Sequence, residues 1–364
     1  MIDPRLEHAS TLPARFYFDS EVLAAEQRQV FGRTWQLAGH AAQVQDAGQY
    51  FTTVIGDEPV LVVRGGDGVL RAMSNVCRHR AGPIARGEGK RPVLQCGYHG
   101  WTYSLDGTLR NTPEFEGVAD FDKTSCRLPQ FQAAIWNELV FVNLDPAGES
   151  LTDFLGELLG DMPAPDYSGF RLAHRKTWEL DCNWKVYVDN YLEGYHIPIV
   201  HPGLFRELDY PNYRTETKRW YSTQIAPTRR PDRIRTVDGD DQVRYFWIFP
   251  NLMLNVYPDN FSTNLIVPIG AGRTATIFDW YFKDPDASRK EIDETIAFSD
   301  EIQLEDIDIC EAVQRGLRSA TYDTGRYSPQ RENGVHHFHC LYQELMRAPV
   351  PSGVPGSQPG TTTG

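Results

Sequence analysis

The sequence predicts an α+β chain of two domains: a small all-β domain, then a larger one mixing strands with two long helices. Three observations predict this. Between about residues 36 and 146 the apolar residues fall in short β-rich runs separated by turn signals. Beyond that point the runs lengthen and alternate with stretches of helical periodicity. The chain has 364 residues, 41% of them hydrophobic and 12% aromatic, which is enough for two cores and too apolar for a disordered chain.

Residues 1–35 read as an N-terminal helical arm packing on the larger domain. Its helix covers Ser20–Phe31, opened by a capping serine and continued at helical spacing. The all-β domain spans 36–146 and contains the runs QYFTTVIG, PVLVVRG, VLRAMSN, PVLQCG, GWTYSL and ELVFVNL. Gly66-Asp67-Gly68 and Asp106-Gly107 mark hairpin turns between them. The larger domain spans 147–348. It begins with a short helix and a Gly/Pro/Asp-rich linker, up to about residue 170. Its β runs are KTWELD, RYFWIFPNLMLNVYP, TNLIVPI and TATIFDWYF, and its long helices are expected over Trp184–Tyr195 and Ser288–Gly316. Residues 349–364 are rich in Pro, Gly and Thr with no apolar face and read as a disordered tail. No internal repeat is present.

The net charge of −13 excludes nucleic acid as a partner, because phosphate recognition needs clustered Lys and Arg. An acidic surface suits solubility, or a basic patch on an electron-donor protein. The N-terminus has no apolar core of a secretory signal, and no run of about 18 apolar residues exists to span a membrane. The expectation is a cytoplasmic protein. Outside the motif described next, Cys126, Cys182, Cys310 and Cys340 are scattered and read as reduced thiols.

Chemistry concentrates in two places. The first is Cys77-Arg78-His79 followed by Cys96-Gly97-Tyr98-His99. Two thiolates can hold one iron of a [2Fe–2S] cluster and two imidazoles the other, the Rieske arrangement. Gly82-Pro83 and Gly97 supply tight turns that let backbone N–H groups face the sulfides. The Cys₂His₂ set also suits tetrahedral zinc. Zinc fingers, however, pair their histidines on one helix, whereas each segment here carries one Cys and one His in a β context. Replacing two thiolates by neutral imidazoles raises the potential of the cluster, so it can pass electrons to a metal–oxygen site.

The second place is Asp189-Asn190-Tyr191-Leu192-Glu193-Gly194-Tyr195-His196-Ile197-Pro198-Ile199-Val200-His201-Pro202. On one continuous helix His196 and His201 would lie about 140° apart in azimuth. Pro198 and Pro202 forbid that helix. His196 is therefore expected to close the helix and His201 to swing in from the turn after it. Two histidines and one carboxylate form the facial triad of non-haem Fe(II). The carboxylate is sought on the C-terminal long helix. Asp306 shares a face with Ile302, Ile309, Cys310, Val313 and Leu317, and a carboxylate on an apolar stripe is costly unless paired or metal-bound. Asp308 lies with Glu305, Glu311, Ala312 and Arg315 on a face read as solvated, and is held in reserve. His336, His337 and His339 could alternate on a strand around a further metal, but without a carboxylate pattern nearby they read as packing of the terminal segment.

Trp247, Phe249, Asn251, Met253, Asn255 and Tyr257 alternate along what reads as a single strand, so the set is expected to face substrate. Aromatic walls suit either a ring or, through cation–π attraction, a methylammonium group.

Together the two motifs resemble the catalytic α subunits of Rieske non-haem iron oxygenases, the ring-hydroxylating dioxygenase family, over nearly the whole chain. The resemblance implies a helix-grip catalytic domain, a curved antiparallel sheet wrapped over a long helix, related to the START/SRPBCC fold. It implies a [2Fe–2S] cluster, a mononuclear Fe2+, O2, and electrons from NAD(P)H through a separate flavin- or ferredoxin-type reductase. It also implies a homotrimer in which the cluster of one subunit serves the iron of its neighbour. A carboxylate three residues before the first iron histidine then bridges the two metals, here Glu193, with Asn190 beside it in the catalytic set. Aromatic-ring dioxygenases usually carry Asp at that place. Glu there, together with ICEAVQRGLRS and the tract Gly325–Val335, resembles the branch acting on choline, carnitine and betaine. The activity implied is monooxygenation or oxidative demethylation of a small N-methylated or quaternary ammonium compound. The alternatives are aromatic-ring hydroxylation, and a Rieske electron carrier with a dead iron site, against which the intact His196/His201/Asp306 set speaks.

Overall fold

The computed structural model describes residues 2–162, 167, 169–229, 242–257, 260–284 and 289–349, except the side chain of residue 291. The start expected for the last long helix and all but the first residue of the expected tail lie outside these. The chain divides into two units. One joins Met1–Glu26 to Thr152–Ala348, and the other holds Gln27–Leu151. The expected boundaries after residues 35 and 146 fall instead at Glu26/Gln27 and Leu151/Thr152. Helix α1 (Ser20–Glu26) runs into a π-helical turn at Gln27–Phe31. Glu26 at the end of α1 is tied into the larger unit. Beyond it, Thr34 bonds back to the Val30 carbonyl and Trp35 Nε1 donates to the Glu149 carbonyl within the smaller one.

The smaller unit contains β1 (Gln36–His40), β2 (Gln49–Ile55), β3 (Glu58–Arg64), β4 (Leu70–Ser74), β5 (Glu88–Lys90), β6 (Leu94–Gln95), β7 (Thr102–Tyr103), β8 (Leu109–Asn111), β9 (Gln130–Trp136) and β10 (Leu139–Asn143). These form a seven-stranded sheet, β1-β10-β9-β4-β3-β2-β5, and a three-stranded sheet, β6-β7-β8. Gly68 and Gly107 have φ of 80° and 83°, the left-handed conformation that the two turn signals require. The first Cys/His segment follows β4 and the second joins β6 to β7. Both cysteines belong to one apolar cluster with Leu61, Leu94, Trp101 and Tyr103.

The larger unit is built on one seven-stranded antiparallel sheet, β11-β17-β16-β15-β14-β13-β12. Its strands are β11 (Arg171–Leu180), β12 (Arg214–Thr217), β13 (Tyr221–Pro227), β14 (Gln242–Ile248), β15 (Leu252–Val256), β16 (Asn260–Gly270) and β17 (Arg273–Phe282). Its helices are α2 (Leu151–Leu155), α3 (Leu158–Asp161), α4 (Trp184–Tyr191), α5 (Ile197–Val200), α6 (Pro202–Glu207), α7 (Arg289–Leu317) and α8 (Asn333–Arg347). This is the expected α+β class.

Two helices position the site. Helix α4 starts at Asn183, whose side chain accepts the Lys185 N–H as an N-cap. It ends at Tyr191 rather than at Tyr195. A Cβ on Gly194 would sit 2.7 Å from the Tyr213 ring, so the chain bends there around a residue that only glycine satisfies. The 29-residue α7 lies against the sheet. Its buried positions are Ile292, Gln303, Cys310, Gln314 and Leu317, while Val313 is 44% exposed. The stripe is therefore more polar and turned further than apolar periodicity predicts. Each glutamine is satisfied: Gln303 Oε1 accepts the Tyr187 hydroxyl and its amide donates to Thr276 Oγ1. Gln314 Oε1 accepts the Asn183 N–H and its amide donates to the Tyr17 carbonyl. Buried amides paired at both ends fix the rotation of α7.

Candidate metal centres and substrate space

In the smaller unit Cys77 and Cys96 are each 3% exposed, whereas His99 is exposed and His79 half-buried. The rings of His79 and His99 lie edge to face, 4.7 Å apart, and His79 stacks on Trp101 at 4.8 Å. Buried sulfurs inside and adjacent imidazoles outside are the polarity a Rieske cluster needs. Two further observations fit that group. His79 Nδ1 is a buried nitrogen with no hydrogen-bond partner among the described residues. A Cβ on Gly82 would stand 3.1 Å from Cys96 Sγ, so glycine keeps the space beside the sulfur open. Gly97 has free space around it, and the tight turns fall at Ala81 and Gly100, with φ of 55° and 72°. Burial pushes the Cys96 thiol up, a cost that binding of the thiolate to iron offsets. Tyr103 from β7 reaches the same place: its hydroxyl accepts the Arg78 N–H at 3.1 Å and lies 3.3 Å from Cys77 Sγ.

In the larger unit ligand atoms of His196, His201 and Asp306 lie within 4.8 Å of one another, the one such group among the described residues. His196 caps α5 and His201 stands between α5 and α6. Neither is on α4, so His196 does not close that helix as expected. The bend at Gly194, then Pro198 and Pro202 in the first turns of α5 and α6, brings the two rings to 5.0 Å. Asp306 comes from the middle of α7. Its Oδ1 is 3.0 Å from His201 Nε2 and 3.9 Å from His196 Nε2. Asp308 is exposed and outside the group.

Every member of the triad is held from behind. Asn190 Nδ2 donates to Asp306 Oδ1 at 2.6 Å. Glu193 Oε1 is 2.7 Å from His196 Nδ1, and its other oxygen accepts the Tyr195 and His196 N–H groups. Glu305 Oε2 is 2.7 Å from His201 Nδ1. Burial pulls the His201 pKa down, but the hydrogen bonds and charge of Asp306, then of Glu305, outweigh it and hold it above the ordinary histidine value. Glu305 was missed because it sits on the flank of α7 read as solvated. Its place directly before Asp306, about 100° round the helix, was the available signal.

The six residues read as one substrate-facing strand are not one strand. Trp247 is the penultimate residue of β14, Met253 and Asn255 lie on β15, and Pro250, which cannot donate to a ladder, falls in the turn between. Trp247, Phe249, Asn251 and Met253 are closed off, at 0%, 0%, 4% and 0% exposure. Trp247 Nε1 donates to the Pro250 carbonyl and Asn251 Nδ2 to that of Ile266. These four are core. Asn255 and Tyr257 keep accessible surface, as do Tyr191 and Tyr245. Burial raises the pKa of all three tyrosines. The Tyr191 hydroxyl lies 3.3 Å from Asn255 Oδ1 and from the Phe246 carbonyl. Tyr191 directly follows Asn190, the residue that donates to Asp306. The three histidines near the C-terminus are on helix α8, not on a strand. His339 is bonded to Asp189, Tyr17 and Tyr327, a satisfied packing role.

Two family models match the chain: the Rieske [2Fe-2S] domain over residues 34–122 and the ring hydroxylating alpha subunit (catalytic domain) over 169–348. The chloroplastic choline monooxygenase of Arabidopsis thaliana is 36% identical, covering 95% of this chain and 85% of that one. The chain belongs to the Rieske non-haem iron oxygenases. The carnitine monooxygenase oxygenase subunit of Escherichia coli K12 is 33% identical over 94% of this chain and 95% of its own. The crystal structure of the quaternary ammonium Rieske monooxygenase CntA superposes with a TM-score of 0.85 at 29% identity, over 94% of this chain and 97% of that one. A naphthalene 1,2-dioxygenase from Rhodococcus, at 21% identity and a TM-score of 0.77, shares the fold. As a Rieske oxygenase the chain is an O2-dependent oxidoreductase with a [2Fe–2S] cluster and a mononuclear iron, acting on a small molecule. No helix among the described residues is long and apolar enough to cross a membrane.

Proposed function

We propose that this chain is the oxygenase component of a monooxygenase for a small quaternary ammonium or N-methylated compound. It works as a cytoplasmic homotrimer and draws electrons from NAD(P)H through a separate reductase of flavin or ferredoxin type. The observation that carries the reading is the near full-length likeness to choline and carnitine monooxygenases. Glu193 behind His196, and the aromatic Tyr191 next to Asn190, support it.

In this reading Cys77 and Cys96 hold one iron of the cluster and His79 and His99 the other. His196, His201 and Asp306 hold Fe2+. When bound, the cluster supplies electrons singly, and the iron supplies O2 binding and C–H oxidation. Asn190 keeps Asp306 turned toward the histidines. Glu193 holds His196 from behind and would be the carboxylate placed to pass an electron from a neighbouring subunit; a solved quaternary ammonium Rieske monooxygenase shows inter-subunit electron transfer. The rings of Tyr191, Tyr245 and Tyr257 present π faces to a methylammonium group, an attraction of about 2 kcal/mol when desolvated. One oxygen atom enters a C–H bond of the substrate and the other leaves as water, with two electrons and two protons supplied from outside. Where the oxidised carbon is an N-methyl, the hydroxymethyl product releases formaldehyde.

The test is a screen of choline, carnitine and other betaines against aromatic acids, with a surrogate reductase, following products by mass. Oxygenated or demethylated betaine products are expected. Turnover confined to aromatic acids would replace this reading with ring hydroxylation.

A further inference from the structure

We propose that Glu305 is a positioning residue for His201, holding the imidazole by Nδ1 so that Nε2 is a stronger and better-aimed iron ligand. The inference rests on the iron site proposed above. Glu305 Oε2 lies 2.7 Å from His201 Nδ1, while Asp306 Oδ1 lies 3.0 Å from Nε2 of the same ring. A carboxylate only accepts, and a neutral imidazole has one N–H to give. With the proton on Nδ1 and donated to Glu305, Nε2 keeps its lone pair on the side of Asp306 and His196. Consecutive residues of α7 differ by about 100° in azimuth, so Glu305 and Asp306 grip opposite edges of one ring. The ring has no alternative partner in water, because the His201 side chain is 2% exposed, while Glu305 is 31% exposed.

Glu193 does the same for His196 from three residues upstream, but that residue also stands in the proposed electron route. Glu305 has no place in the route, so its effect falls on the metal alone. A carboxylate on the outer nitrogen of a ligating histidine raises ligand basicity and fixes the ring, and its loss costs about 10–100-fold in metal affinity.

The experiment uses the full-length protein with its cluster in place and measures Fe2+ and Co2+ affinity by chelator competition. The parent is compared with Glu305→Ala, Glu305→Gln and Asp306→Ala. Glu305→Ala should bind metal about 10–100-fold more weakly. Glu305→Gln keeps an acceptor without the charge and should fall between Glu305→Ala and the parent. The Co2+ ligand-field spectrum should shift in both Glu305 variants, while cluster absorbance and melting temperature stay at parental values. Parental affinity and spectrum in Glu305→Ala, with metal lost in Asp306→Ala, would overturn the role of Glu305 and leave the iron site standing. Parental metal binding in Asp306→Ala would overturn the iron site and this inference with it.

Discussion

Cys77, His79, Cys96 and His99 come from two loops of one small β unit, and each loop brings one thiol and one imidazole. His201 and Asp306, by contrast, are 105 residues apart in the chain and meet only because α7 crosses behind the short helices that follow α4. The first set depends on local turns: the left-handed Ala81 and Gly100, and the close approach of Gly82 to Cys96. The second depends on how two long-range elements are held against each other. Damage to packing in the larger unit should therefore empty the iron site while the cluster survives, and changes beside the cluster should leave the iron alone.

The largest effect tests the ligands themselves. His196→Ala and Asp306→Ala should each lose mononuclear iron on metal analysis and abolish substrate oxidation, with the cluster spectrum unchanged. Asp308→Ala should retain both, since Asp308 is exposed and outside the triad. Iron retained in Asp306→Ala but lost in Asp308→Ala would move the carboxylate ligand along α7.

The next tests what holds α4. Lys185, in its first turn, is fully buried with its Nζ 2.5 Å from Glu26 Oε1. Glu26 also accepts from Trp184 Nε1 and the Tyr342 hydroxyl. Burial lowers the Lys185 pKa, and the charge of Glu26 opposes the shift. Lys185→Met leaves a buried carboxylate without its cation and should destabilise the larger unit by about 3–5 kcal/mol. Glu26→Leu together with Lys185→Met should recover much of that. In a denaturant titration of Lys185→Met, iron should leave at a lower concentration than the cluster's visible absorbance. Simultaneous loss would mean that the two sites share one cooperative unit.

Acid should separate the sites in the same order. Burial holds His337, on α8, down to about 4, and its Nε2 lacks a hydrogen-bond partner among the described residues. Above the ordinary histidine value of about 6.5 both folded and unfolded chains are neutral at this ring. As pH falls from there toward 4 the unfolded chain takes up a proton that the folded one refuses, so stability drops by up to about 3 kcal/mol. His337→Asn should flatten that part of the stability–pH curve, measured by urea midpoint between pH 7 and 4.5. An unchanged slope would assign the acid sensitivity to other groups.

The same contrast explains what could be read from the sequence. The cluster motif was legible because spacing within a loop survives into the structure. His196 and His201 were legible through Pro198 and Pro202, which forbid the helix that would separate them. Asp306 was legible by its helix face, although Val313 on the supposed apolar stripe is exposed and Gln303 and Gln314 are buried. The partners that only tertiary contact creates were not. Glu305 looked solvated because a helical wheel cannot show that His201 arrives at its flank. Trp247 to Tyr257 looked like one strand because alternation continues across a tight turn, and the turn put four of the six residues into the core.

The smallest effect runs the other way, from cluster to iron. The Tyr103 oxygen accepts the Arg78 N–H, which directs its own O–H toward Cys77 Sγ, 3.3 Å away. A hydrogen bond to a cluster sulfur stabilises the reduced form, where negative charge is greatest, and so raises the potential. At about 1 kcal/mol for one net hydrogen bond, the shift for a one-electron couple is about 40 mV. Tyr103→Phe keeps the ring in its apolar cluster and removes the hydroxyl, and with it both the bond to Cys77 Sγ and the acceptor for the Arg78 N–H. A redox titration followed by EPR should show the cluster midpoint lowered by about that amount, with iron content unchanged. An unchanged potential would mean that the hydroxyl serves only to pin the Arg78 backbone. A change in iron content would show that the two sites are not built independently after all.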